Sequence, residues 1–439
     1  MKKNFFIVLN ILLLFSPIPI NAQIRIIDIA SSPNPVGSGA RALGMGGAFI
    51  GIADDATSAS WNPGGLTQLK KPEMSVVLAT NQRRDHISYK QFSNASGCHK
   101  INTFDLNYFS IAYPFQMNYR NMIFSLNYQH LYNFNKQLSY EYTYIDLDPP
   151  EMVERTHVDY KQSGALYAIS PAFAIKVNSA LSIGLALNIW DKEFCNWDSN
   201  YIATGDVSIM ESIFDIQVNK KENWAFQGVN FNLGFLWKIN SLITIGGVFK
   251  SPFRAKIDHD YFLNQWLPSS SGMKHDLKQS NDTEKLDMPM SYGLGVCARL
   301  NDLFSIDIDI YRTHWNDYIK HTAYGVEINP ITGKPVYYSK SKPTTQVRLG
   351  AEYLFIFNQI IYPIHMGIFY DPEPAFNNPE DFYGFSVGTG IVFNPFVFDI
   401  AYEYRFGNDV SITSFTIGHE NPIQDVRHQT LSMSMIYHF

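Results

Sequence analysis

Cysteine is scarce in this chain: Cys98, Cys195 and Cys297 are the only three among 439 residues. Three thiols cannot complete a disulfide framework, so the fold must be held by other means. Charge is also thin. Asp, Glu, Lys and Arg make up 17% of the residues and sum to −6, which leaves no basic stripe and argues against a nucleic-acid partner. Beyond the N-terminus no apolar run is long enough to cross a bilayer as a helix. The twelve histidines form no His-Glu-x-x-His pair and no His/Cys cluster, and the one Gly-x-Ser-x-Gly match, Gly384–Gly388, lies within a Gly-rich strand rather than at a strand-to-helix elbow. No catalytic residue, metal site or cofactor is therefore expected. The glycines from Gly37 to Gly47 lack the strand and helix that a dinucleotide fingerprint requires.

What is present is apolar content, 46% hydrophobic and 15% aromatic, spread by alternation. Leu181, Ile183, Leu185, Leu187 and Ile189 alternate with small or polar residues, and Phe304, Ile306, Ile308 and Ile310 alternate with Ser305, Asp307 and Asp309. Phe396, Phe398, Ile400, Tyr402 and Tyr404 repeat the pattern, as do Leu431, Met433, Met435, Tyr437 and Phe439 at the C-terminus. Period two is the signature of strands with one apolar face. A soluble sandwich would bury those faces against a second sheet, but aromatics at strand ends fit the girdles of a membrane barrel better. Runs bounded by Asn, Asp, Pro or Gly predict fourteen strands: 73–84, 104–114, 121–144, 157–177, 180–195, 224–239, 242–262, 286–300, 303–322, 344–357, 360–370, 382–394, 396–417 and 426–439. The expected fold is an all-β membrane protein, a 14-stranded antiparallel transmembrane barrel. The inserts Leu263–Glu284 and Ala323–Lys342 read as extracellular loops, and Val177–Ala180, Ile239–Ser241 and Leu300–Asp302 as periplasmic turns. Lys2, Lys3, the apolar stretch Phe5–Phe15 and Asn21-Ala22 before Gln23 form a secretory signal over residues 1–22.

The segment Gly39–Leu66 is rich in small residues and contains Gly44, Gly46, Gly47 and then Asn62-Pro63-Gly64-Gly65. It closely resembles the N-terminal hatch of the FadL-type and toluene-type outer-membrane transport family (OMPP1/FadL/TodX-like). Ile245–Pro252, Leu286–Pro289, Thr313–Tyr318, Arg348–Tyr353 and Gly367–Pro374 resemble that family's landmarks in the same order. The resemblance implies a hatch over 23–72 plugging a barrel over 73–439, in the Gram-negative outer membrane. It also implies a monomeric, passive channel for hydrophobic small molecules, most of all long-chain fatty acids. Its surroundings would be outer-membrane lipid and lipopolysaccharide, and the terminal Phe439 resembles the signal read by the barrel assembly machinery. The rivals are a secretion-accessory or cargo-binding barrel resembling the type IX secretion shuttle proteins, and an adhesin-like barrel.

Charges on inward positions are the main site candidates: Arg299, Asp307, Asp309, Arg348, Glu352, Asp399, Glu403 and Arg405. Both signs occur on neighbouring strands, so mutual pairing and bonds to hatch backbone are the favoured role. Arg348 is the candidate for meeting a fatty carboxylate, bidentately. Phe49 and Trp61 are candidates for lining an apolar pocket in the hatch, with hatch packing the alternative. Asp54-Asp55 reads as solvated or capping groups rather than an ion site. Tyr261, Phe262 and Trp266 are candidates for a first capture groove in the loops.

Overall fold

A computed structural model describes residues 37–146, 151–209, 212–269, 272–339, 341–376, 378–411, 415–418 and 420–439. The expected signal peptide over residues 1–22 and the start of the expected hatch lie outside the described residues. The remainder forms one antiparallel sheet that closes on itself. Its strands are β1 (Glu73–Ser88), β2 (Gly97–Met117), β3 (Arg120–Asn133, continued by Lys136–Asp146), β4 (Met152–Lys176) and β5 (Leu181–Trp190, continued by Asn196–Ile209). Next come β6 (Ser212–Lys238), β7 (Ile243–Lys250, continued by Phe253–Ser269), β8 (Gly272–Met288, continued by Ser291–Arg299) and β9 (Phe304–Thr313, continued by Ile319–His321). The last five are β10 (Thr344–Phe357), β11 (Ile360–Tyr370), β12 (Tyr383–Phe393), β13 (Phe396–Ser411) and β14 (Ile423–His438). β1 pairs with β14 from Glu73↔His438 to Ser88↔Ile423, so fourteen strands complete the circle. Closure satisfies backbone groups that lipid cannot.

The alternation sorts as the sequence predicts. Leu294, Ile308, Ile310 and Met366 are exposed on the outer face, while Asp307, Asp309 and His365 are buried inside. At one end, where both chain termini of the barrel meet, strands are joined by tight turns. Asn118-Tyr119 and Asn358-Gln359 have positive φ at both residues, matching the right-handed strand twist. That end is the periplasmic one by turn length.

At the other end the strands run further than expected, and one loop assignment is corrected. Leu263–Glu284 is not a loop: it lies in the β7–β8 hairpin, in register from Phe253↔Met288 through Leu263↔Lys278 to Ser269↔Gly272. Residues 196–209 and 212–223 likewise pair as the upper β5–β6 hairpin. Above the bilayer the outer face meets water, so these strands carry no apolar outer stripe to betray them. Their inner faces fill the upper barrel with side chains. Tyr160, Tyr201 and Phe415 pack in one cluster, and Phe226 and Trp315 in a second just below. Trp197 and Trp224 stack at 5.5 Å within that second layer.

The terminal residue adds little to this framework. The Phe439 amide donates to the Pro72 carbonyl at 3.0 Å, and the ring meets Tyr437 edge-on. Deleting Phe439 should therefore slow assembly while leaving the assembled barrel's stability nearly unchanged. Pulse-labelling with a heat-modifiability gel checks this, and normal accumulation of the truncated chain would count against it.

Candidate functional site

The lumen is filled by the N-terminal segment, which makes only short elements: α1 (Ala40–Gly44), α2 (Ser58–Trp61) and a 3-10 turn over Pro63–Gln68. Asn62 explains why Asn-Pro follows α2. Its Oδ1 accepts the Gly64 amide at 3.1 Å, and its Nδ2 donates to the carbonyls of Ile50 at 3.0 Å and Phe235 at 2.7 Å. One amide side chain thus caps the 3-10 turn, ties two parts of the hatch together and fastens both to β6. Pro63 sits at the first position of that turn, where no backbone donor is needed. Just before α2, Asp55 accepts from the Thr57 amide and hydroxyl and so fixes the turn that leads into it. Burial pushes its carboxyl up, against the lowering influence of Arg41 and Thr57.

Close approach of hatch to wall depends on glycines that face inward on several strands. A Cβ on Gly184 of β5 would overlap the Pro63 carbonyl, one on Gly246 of β7 the Ile50 carbonyl, and one on Gly350 of β10 the Met45 carbonyl. On Gly367 of β11 it would overlap the Gly46 amide. Gly46 and Gly47 themselves have φ of +68° and +71°, a turn that side chains rarely adopt.

Polar bonds lock this contact. Asp309 accepts the amides of Phe49 and Ile50 at 2.7 and 2.9 Å, and Arg348 donates to the Gly46 carbonyl at 2.7 Å. Ser386 accepts the Gly46 amide and donates to the Gly44 carbonyl. Arg41 grips Glu352 bidentately at 2.6 and 2.9 Å while reaching Asp54 at 2.5 Å. Burial disfavours the Arg41 charge, but Asp54, Glu352 and Asp55 together hold the guanidinium well above its ordinary range. Beyond Glu352 stands fully buried His365, 3.3 Å away, with Asp399 3.5 Å from its other ring nitrogen.

The predicted inward charges fall into three groups. Asp309, Arg348, Glu352 and Asp399 belong to the lock, and fully buried Asp307 lies beside Gly51 and Asp309. Arg405 faces the extracellular side of the hatch, bonded to Asp371 at 2.9 Å and Glu373 at 2.8 Å, with half-buried Glu403 two residues away. Arg299 reaches Asp54 at 3.6 Å from the periplasmic mouth, where its side chain is 54% exposed. Phe49 and Trp61 meet edge-on at 5.8 Å inside the hatch, and Trp61 donates to the Ser38 carbonyl. Tyr261, Phe262 and Trp266 lie on β7, with Trp266 stacked on His275 at 4.2 Å. Arg41 was not singled out by sequence, although it is the one cation among the small residues from Gly37 to Gly51.

Two cavities lie above the hatch. The first, about 60 Å³, has Tyr311 in its floor, where Tyr311 packs on Ile50 of the hatch. Trp190, Phe253 and Trp315 form its apolar side, Asn188, Asn230 and Asn232 its polar side, and Lys250 of β7 projects into it. The second, about 130 Å³, shares Leu131 with the first and lies at a seam in the wall. β2 and β3 pair only between Met117↔Arg120 and Tyr108↔Gln129. Above that, long side-chain contacts from Asn133 to Thr103 (3.5 Å) and Asp105 (3.4 Å) replace the ladder. Lys250 and the seam were both missed. Lys250 lies within the Ile245–Pro252 landmark but resembles any basic residue at a strand end, and a broken ladder leaves no mark on one strand's sequence.

A family model for outer membrane protein transport proteins (OMPP1/FadL/TodX) matches residues 34–437. No curated protein matches the chain significantly. Among solved structures, a Pseudomonas aeruginosa FadL homologue superposes with a TM-score of 0.64 at 15% identity, covering 92% of this chain and 98% of its own. The CymD monoaromatic hydrocarbon channel gives 0.56 at 16% identity, with 92% and 98% covered. The Pseudomonas putida toluene transporter TodX gives 0.55 at 12% identity, again with 92% and 98% covered. At these identities the likeness is one of fold.

Proposed function

Because the chain belongs to the OMPP1/FadL/TodX family of outer-membrane transport proteins, we propose that it takes up hydrophobic compounds passively, with long-chain fatty acids as its substrates. The observation that carries this reading is an aromatic-walled cavity closed below by a hatch, which shares the side chain of Leu131 with a second cavity at a seam in the barrel wall. Such a path suits a molecule that leaves water for lipid. No covalent chemistry is required. Gradient and downstream consumption supply direction, and the role we assign to Arg348, Phe49 and Trp61 is to hold the hatch, with any ligand contact secondary.

The test has two parts. Burying a methylene gains about 0.8 kcal/mol, so shortening a fatty acid by four carbons should weaken binding by roughly 3 kcal/mol; affinity independent of chain length would end the hydrophobic-channel reading. For the route, Thr103→Cys with Asn133→Cys in a Cys98→Ser background should close the seam when oxidised. Uptake should fall and return on reduction, and uptake unaffected by oxidation would place the path elsewhere. A deletion strain that loses growth on fatty acids but secretes normally supports transport, whereas retained secretory cargo would favour an accessory barrel.

A further inference from the structure

We propose that the periplasmic mouth of the barrel is a docking site for an acidic polypeptide segment of a periplasmic protein. Such docking is independent of what crosses the barrel. Beneath the hatch an open cavity of about 720 Å³ lies between hatch and wall. The strands β4, β6 and β8 end on Lys176, Lys238 and Arg299, and these three line the cavity together with Lys70, which follows the 3-10 turn of the hatch. Asp54 is the one acidic residue among its described lining. Asp54 is already held by Arg41, and its other contact, to half-exposed Arg299 at 3.6 Å, contributes little. Among the described residues no carboxylate lies within 4 Å of Lys70, Lys176 or Lys238. The opposite arc of the mouth is different. From Leu349 to Tyr404, a stretch that includes all of β11 and β12, the sequence contains no lysine or arginine.

Spacing points to the class of partner. Neighbouring strands lie about 4.8 Å apart, so cations on every second strand recur at roughly 10 Å, and the row from Lys176 to Arg299 extends about 19 Å. A small anion reaches one of them at a time. An extended chain rises about 3.3 Å per residue, so carboxylates on every third residue match the row, and about six residues cover it. Ser182 and Thr244 stand on the intervening β5 and β7, in register with Lys176 and Lys238, and place hydroxyls between the charges. The floor is fixed, because Thr67 Oγ1 of the hatch donates to Ser182 Oγ at 2.6 Å. Rigid strand ends thus present the row, and the mouth itself needs little ordering when a partner arrives. A cleft dominated by one sign of charge also concentrates its field and draws in the opposite sign.

The experiment uses the full chain in nanodiscs of neutral phosphatidylcholine, which leave both mouths open to solution. The probe is a fluorescent, terminally blocked peptide of the repeat Glu-Ser-Gly, about nine residues long, enough to cover the row. It should bind saturably, and its glutamine counterpart should bind roughly tenfold more weakly or worse. An exposed ion pair contributes up to about fivefold in affinity, so Lys176→Gln, Lys238→Gln and Arg299→Gln combined should weaken the glutamate peptide by roughly ten- to hundredfold. Heat-modifiability shows that the variant is an assembled barrel. If it does not assemble, Lys238→Glu alone, at an exposed position, serves instead and should weaken binding by about fivefold or more. Equal binding of the glutamate and glutamine peptides by the wild type overturns the proposal, as does an assembled variant that binds like the wild type. Displacement of the peptide by inorganic phosphate at equal concentration would reduce the mouth to a small-anion site and overturns it too. Fatty-acid uptake is measured separately, so failure here leaves the transport reading standing.

Discussion

Gly367→Val should convert a closed barrel into an ion-conducting one without preventing assembly. Gly367 faces the lumen from β11, and the space a side chain needs is occupied by the backbone of Met45 and Gly46. Neither side of that contact can rotate away, because both are main chain. The strand itself tolerates valine, since β-branched residues suit a pleated wall, so the strain falls on the hatch. To relieve it, residues 44–47 must withdraw and forfeit the Arg348 bond to Gly46 and both Ser386 bonds. A barrel of this strand number encloses a lumen that needs filling, and a displaced hatch leaves it open to water. Planar-bilayer recordings should then show stable conductance where the wild type shows almost none. Unchanged conductance would mean that the aromatic layers of Trp197, Trp224 and Phe415 seal the upper barrel by themselves, and that the hatch is not the gate.

Asp309→Ala should release the middle of the hatch at a cost of about 3–5 kcal/mol. One carboxylate oxygen accepts two amides, those of Phe49 and Ile50, in a site with almost no exposure. Truncation loses two bonds to a charged acceptor and leaves two buried donors unsatisfied, and bonds of this kind contribute roughly 1.5–3 kcal/mol each. The loss is local because β9 keeps its ladders to β8 and β10 through Asp309↔Gly295 and Asp309↔Arg348. Hydrogen exchange should therefore accelerate at residues 49–52 while strand amides remain protected. Asp309→Asn keeps an acceptor oxygen without the charge and should show a smaller acceleration. Protection at Phe49 and Ile50 unaltered by the alanine variant would show that glycine-mediated contact alone seats the hatch.

The sequence by itself determined the number of strands, their order and which face of each meets lipid. A bilayer forces this legibility, because every second residue must be apolar and the polar ones, such as Asp307 and Asp309, have only the inside to occupy. It also marked the hatch motif, whose Asn62 caps the turn two residues on. The same constraint explains what was hidden. Where strands rise above the membrane, as in the paired segments around Leu263 and Lys278, water accepts either face and the alternation loses its meaning.

Tertiary structure decided which inward charge meets which partner. Arg41 and Glu352 are 311 positions apart and touch only because barrel register and hatch path bring them to one level. Arg348 and Lys250 are both basic residues on inward positions of predicted strands, and nothing local separates them. One lands beside the Gly46 carbonyl and the other in a cavity above it. That difference depends on the stagger of β7 against β10 around the closed sheet, a property of all fourteen strands together that no single strand's sequence contains.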